Sequence, residues 1–391
     1  MTVEYVRVGD LLKLHRRAVE VDPSGEYQEV GVRSFGRGIF RKEPIAGTDL
    51  GSKRVFRIEP GDLVISNVFA WEGAIAVASE AEEGMIGSHR FMTFRPKDDR
   101  TDTAWLAWFF LSEPGLELIR RASPGSAGRN RTLAIERFEA LEIPLPPIDE
   151  QRRVAQHLSA TSAASNVITD LARSAQKLSD ALAVSIATRP DLDDTAKRRA
   201  GWIPLPLGEL LVEKTQLARS LEPDGRYPIA GIYSFGRGLI DRGVIAGSET
   251  SYKTLTRLDA DDVVFSKLNA WEGAVTVVPP RFDGFFVSSE YPTFGVNHAR
   301  VDPRFLDVVL RSPAFWGRMN DVTQGSMVRR RRINTSQFLG LEIWIPSADV
   351  QTAACELIAQ LASATGPRKE GAQRLSALLP AAMNEAFSGL S

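Results

Sequence analysis

The sequence predicts an α/β (α+β) chain in which two similar globular domains are separated by two long helices, paired as an antiparallel coiled coil about a pseudo-two-fold axis. Three observations lead there. "GVRSFGRGIFRKEPIAG" at residues 31–47 returns at an offset of 200 as "GIYSFGRGLIDRGVIAG" at 231–247. Each copy mixes short alternating stretches with helical periodicity. Between the copies lies a stretch without Gly or Pro that only a long helix explains.

The offset holds with little slippage over more than a hundred residues. "AWEGA" at 70–74 falls on "AWEGA" at 270–274, Gly125-Ser126 on Gly325-Ser326, Leu141-Glu142-Ile143 on Leu341-Glu342-Ile343, and Gln151 on Gln351. Solenoid units run to about 20–50 residues, so this period marks a duplicated domain with a connector.

The elements follow in order within each copy. "DLVISNVFA" and "DVVFSKLNA" alternate and are entered through turn residues, which predicts strands. "DTAWLAWFFLSEPGLELIRRA" and "DPRFLDVVLRSPAFWGRMND" read as helix, Pro-containing break, helix. "FEALEIPLPPIDEQ" reads as a strand ended by prolines. From Glu150 to Ala187 there is no breaker, and Val154, Leu158, Ile168, Leu171, Ala175, Leu178 and Leu182 form a narrow apolar stripe suited to pairing with another helix. Pro190 ends it. "ADVQTAACELIAQLASAT" begins the equivalent helix, expected to break at Gly366-Pro367 and resume through "EGAQRLSALLPAAMNEAFSGL". The boundaries are therefore 1–147 for the first domain, 148–200 for a helix and linker, 201–346 for the second domain, and 347–391 for the second helix.

Composition narrows the function classes. A chain of 391 residues with 43% hydrophobic and 25% charged residues can bury a core in each domain. No apolar run approaches the roughly 18 residues of a membrane span, and the N-terminus lacks the apolar stretch of a secretory signal. The single cysteine, Cys355, is read as a packing residue and fits a cytoplasmic protein. Four scattered histidines, His15, His89, His157 and His298, assemble no zinc spacing. "SFGRG" lacks the glycine spacing of a nucleotide cradle, and neither Pro-Pro pair sits in the Asn/Asp-Pro-Pro-aromatic loop of an adenine methyltransferase. No catalytic residue, metal or cofactor is expected.

A net charge of −1 gives no global attraction to a polyanion, so a nucleic-acid surface must come from local clusters. Two exist at the same offset: "RRASPGSAGRNR", with Arg120, Arg121, Arg129 and Arg131, and "QGSMVRRRRIN", with Arg329, Arg330, Arg331 and Arg332. Small residues beside closely spaced guanidinium groups let the backbone approach phosphate while Arg reaches phosphate or guanine. Arg37 and Arg237, set between glycines, are the next candidates. In "AWEGA" the Trp is expected to pack in the core and the Gly to close a turn, because identical motifs do not suit targets that differ. Just before it the copies diverge, Asn67 against Lys267 with Asn269 nearby, as two different targets would require.

"LEIPLPPIDEQRRV", the C-terminal "SALLPAAMNEAFSGL" and the domain–helix–domain–helix plan resemble the specificity subunit of Type I restriction-modification systems over essentially the full chain. The second copy, "EIWIPSADVQ", lacks the paired prolines and the Glu. The resemblance implies two target recognition domains, each reading half of a split double-stranded DNA sequence. It also implies helices that dock two modification (methyltransferase) subunits, and a restriction subunit that carries nuclease and translocase activity. This chain would supply address and not chemistry. The alternative from another class is a tandem-domain scaffold that binds a small molecule or protein without DNA specificity.

Overall fold

The computed structural model describes residues 4–125, 131–214, 219–322 and 332–389. The chain divides into two compact units, residues 1–171 with 370–391, and residues 172–369.

Unit 1 is built on a four-stranded antiparallel sheet in the order Leu12–Leu14, Phe91–Pro96, Leu63–Ser66, Ile75–Val77. Leu63–Ser66 is buried at every position, so its apolar run serves both faces of the sheet. Gly61, with φ +83°, provides the turn into it. Thr103–Leu111 then forms a helix capped by Asp102, whose side chain accepts from the Trp105 amide at 2.8 Å. The break falls at Ser112, whose hydroxyl caps the next helix, Glu113–Ala122, with Pro114 in the first turn.

Aromatic residues fill the space between this helical layer and the sheet. Phe94, Trp105, Phe109, Phe110 and Phe138 are buried, with Phe94 and Phe138 in ring contact at 5.1 Å. The C-terminal helix Leu378–Ser388 completes this core, because Phe387 is fully buried against Trp105 and Phe109 at 6.0 and 5.8 Å. Truncating such a residue costs about 3–5 kcal/mol, so the last turn of the chain matters to unit 1.

Unit 2 repeats the plan. Its sheet runs Leu211–Glu213, Thr293–Val296, Val263–Phe265, Val275–Val277. The helix pair is Pro303–Leu310 and Pro313–Val322, the first capped by Asp302. Ala187, at the end of the long helix Ile148–Thr188, and Ala354 and Cys355, near the start of Ala348–Ser376, pack into the core of unit 2.

The repeated glutamines are staples. Gln151 is fully buried; its Oε1 accepts from the Asp102 amide, and its Nε2 donates to the carbonyls of Arg100 and Pro146 at 2.9 and 2.8 Å. Gln351 makes the same set with Asp302, Arg300 and Pro346. In each unit this one amide satisfies backbone groups that burial would otherwise leave unpaired.

The long helix, Ile148–Thr188, contains the whole break-free stretch. Along its stripe Leu158 is buried in the core of unit 1, whereas Leu171 and Leu178 are exposed. One expectation fails: the helix Ala348–Ser376 runs through Gly366-Pro367, and the interruption falls at Ala377. A helical proline forfeits a backbone hydrogen bond and costs about 3 kcal/mol. A helix extended on both sides adds one bond per residue and absorbs that cost.

Candidate nucleic-acid interface

"SFGRG" forms the tip of a hairpin in both units, between Val30–Val32 and Ile39–Arg41 in unit 1 and between Arg226–Tyr233 and Gly238–Ala246 in unit 2. Phe35 and Phe235 hold φ +63° and +62°, a left-handed conformation that is costly for an aromatic residue, and the glycines after them continue it.

What holds the strained tip is the other repeated motif. Phe35 N–H donates to Glu72 O at 2.7 Å and Gly36 N–H to Gly73 O at 2.9 Å; Phe235 and Gly236 do the same to Glu272 and Gly273 at 2.6 and 3.1 Å. The hydroxyls of Ser34 and Ser234 donate to the carboxylates of Glu72 and Glu272 at 2.9 and 3.1 Å. "SFGRG" and "AWEGA" are thus two halves of one lock, which accounts for their identity in the two copies. Both glutamates are occupied within it.

The lock presents an aromatic and a cation to solvent. Phe35 and Phe235 are 72% and 61% exposed. Arg37 is exposed with its guanidinium 5.8 Å from the Phe35 ring, and Arg237 is exposed over Tyr233 at 4.5 Å, with Nε donating to Ser234 O.

Trp71 and Trp271 depart from the core placement expected of them. Both are half-buried, and each indole N–H closes its own turn, to Val68 O at 3.0 Å and Leu268 O at 2.9 Å. The reason is local: the Ala70–Glu72 turn sends Ala70 inward, leaving the next side chain at the surface. Arg131 lies over the Trp71 ring at 5.5 Å. Gly73 and Gly273 close the turns with φ +76° and +81°, as expected of them.

The variable positions sit beside the arginine segments. Leu133 N–H donates to Asn67 O, and Ile333 N–H to Lys267 O, at 2.8 and 3.1 Å. These bonds tie the end of each arginine-rich stretch to the end of a central strand. Lys267 Nζ donates to Ser289 O, and Asn269 is exposed. Arg332 is exposed and pairs with Glu290 at 3.3 Å. Arg120 faces Glu113 and Glu117 of its own helix. Arg129, Arg329, Arg330 and Arg331 lie outside the described residues.

Sequence reasoning passed over Arg90 and Glu290. Asn67 N–H donates to Arg90 O at 2.8 Å and Lys267 N–H to Glu290 O at 3.0 Å, so both pairs sit at one rim. The available signal was an opposite charge at the same offset.

Residues 2–175 match the family model described as Type I restriction modification DNA specificity domain. A solved chain from work on complex assembly and conformational transition of the type I R-M system is 18% identical, with 98% of this chain and 97% of that one covered at a TM-score of 0.59. The Type-I restriction-modification system S subunit from M. genitalium is 14% identical, with 98% and 96% covered at 0.53. These similarities establish a common fold. No curated protein sequence matches the chain.

Proposed function

We propose that each unit reads one half of a bipartite duplex DNA target, a reading supported by the match of residues 2–175 to the family model described as Type I restriction modification DNA specificity domain. The chain is the DNA sequence-specificity subunit of a Type I restriction-modification complex. Residues 1–147 and 201–346 serve as the target recognition domains, with 148–200 and 347–391 as spacers. The observation that carries the reading is the doubled lock: one backbone scaffold displays Phe35 with Arg37 in one unit and Phe235 with Arg237 in the other.

Arg37, Arg131, Arg237 and Arg332, with Arg129, Arg329, Arg330 and Arg331, supply the cationic contacts to phosphate and guanine. Asn67, Lys267 and Asn269 sit where the copies differ, as residues that discriminate between half-sites should. The chain itself performs no chemistry and takes no cofactor. Methyl transfer belongs to partner modification subunits, two copies of them, and cleavage to a restriction subunit. Among the described residues no helix is long and apolar enough to cross a membrane, and the cytoplasm is the compartment in which such a complex would meet DNA.

The test is binding of duplex DNA by the full chain with its modification partner across a salt series. Phosphate neutralisation makes log K fall linearly with log salt, by about 0.9 per contact. Selective, salt-dependent binding is expected, with methylation only when the partner is present. Methyl transfer by this chain alone, or tight binding of a small molecule with no affinity for duplex, overturns the assignment in favour of an enzyme or a scaffold.

A further inference from the structure

A cleft of about 430 Å³ opens in unit 1 beside the lock, lined by Ser34, Phe40, Lys42, Ser66, Phe69 and Arg90 among others. Comparison with unit 2 at the offset of 200 divides this lining in two. The serines stay, as Ser234 and Ser266, and so does the backbone bond from position 67 to 90, repeated from 267 to 290. The side chains at the rim change: Phe69 becomes Asn269, Asn67 becomes Lys267, and Arg90 becomes Glu290.

That combination excludes two simpler roles. A framework role would preserve the side chain along with the backbone bond. A phosphate contact made from this position in both units would require a cation at both 90 and 290, and Glu290 would repel phosphate; the cation that both units keep is at the neighbouring position, Lys42 and Arg242. Base edges differ from phosphate in this respect, because guanine O6 and N7 suit an arginine while the cytosine amino group suits a carboxylate. Arg90 is exposed and has no ion-pair partner among the described residues. Glu290 is held by Arg332 at 3.3 Å.

Resting on the DNA-reading function above, we infer that this rim is where each unit reads base edges: Arg90 takes guanine in the half-site of unit 1, and Glu290 takes the cytosine amino group in that of unit 2. Arg332, placed above among the cationic contacts to DNA, at the same time positions Glu290 through their 3.3 Å ion pair.

The test uses the full chain with its modification partner and a duplex library randomised across the target, comparing wild type with Arg90→Gln, Arg90→Glu and Glu290→Gln. A lost base contact costs about 5- to 150-fold in discrimination at one position. Arg90→Gln should replace guanine by adenine at one position of one half-site, since Gln pairs with adenine N6 and N7, and leave the other half-site unchanged. Arg90→Glu should remove the guanine preference there, and Glu290→Gln should alter one letter of the opposite half-site. Arg90 is exposed and Glu290 half-buried, with Oε2 covered, so Glu290→Gln keeps the side-chain shape there, and Arg90→Gln keeps the readout should charge reversal disturb the rim. Unchanged letters in Arg90→Gln and Glu290→Gln would overturn the inference, as would uniform weakening over all sequences with a shallower salt slope. If wild type itself selects no sequence, the DNA-reading function fails and takes the inference with it, an outcome distinct from selective wild type with indifferent variants.

Discussion

Adding a single methyl group at Gly273 and at Gly73 should give unequal results, although the two glycines hold the same place in the same motif. Both have φ in the left-handed region, +81° and +76°, where an alanine costs about 1–2 kcal/mol. Their surroundings differ. A Cβ at Gly273 would lie 2.4 Å from the Trp316 ring, whereas one at Gly73 would come nearest the tip of Leu111 at 3.2 Å, with the backbone nitrogens of Phe35 and Gly36 at an ordinary 3.6 Å. The leucine tip can yield. Trp316 also packs edge-on against Phe235, ring centroids 6.4 Å apart, and lies close to Gly236, so a rigid indole has little room to rotate aside. Overpacking of that kind costs about 1–3 kcal/mol, so Gly273→Ala should total about 2–5 and Gly73→Ala about 1–2.

Because the chain has two compact units, one melting temperature would mix their contributions. Hydrogen exchange followed by mass spectrometry reads each lock separately. In Gly273→Ala, amides in 231–238 and 270–275 should exchange more than tenfold faster, corresponding to over about 1.4 kcal/mol, with unit 1 unaffected. Equal acceleration in the two variants, or acceleration outside the substituted unit, would refute the account of the lock.

Replacing Arg37 or Arg237 by alanine should flatten the dependence of log K on log salt by about one contact each, and an unchanged slope measured by fluorescence anisotropy would return these side chains to solvent. Burial in the core of unit 2 raises the Cys355 thiol to about 11, so a disulfide reagent at pH 8 should leave it unmodified in the native chain and react promptly in denaturant; fast native reaction would contradict its packing. Hydrogen bonds from Arg304 hold Asp302 below 3.8, so its share of stability is present above that pH and is lost as pH falls through the lower folded value. Asp302→Ala should cost about 0.5–2 kcal/mol at neutral pH through the lost cap, and denaturant midpoints of variant and wild type should converge in acid; a constant gap would show that the carboxylate charge is irrelevant.

The patterns legible in the sequence were those written in local periodicity or in repetition. The duplication, the helix pairs with their breaks, the 148–188 helix and the turn glycines at 73 and 273 follow from spacing and from backbone preference, which neighbouring residues largely decide. The break expected at Gly366-Pro367 was misplaced because helical cooperativity outweighs one unfavourable residue, and cooperativity is a property of the whole segment. The partners of each motif could not be read from spacing at all. Nothing in "SFGRG" or "AWEGA" announces that Phe35 and Glu72 share a hydrogen bond, that Trp71 stays at the surface under Arg131, or that Phe387 is needed to fill the core around Trp105. Residues such as Asn67 and Arg90, 23 positions apart in sequence, are brought together by strand pairing, and only the folded chain makes one rim of them. Sequence periodicity specifies which face of an element is buried; tertiary packing decides what that face meets, and with it which of several exposed charges stand at one site.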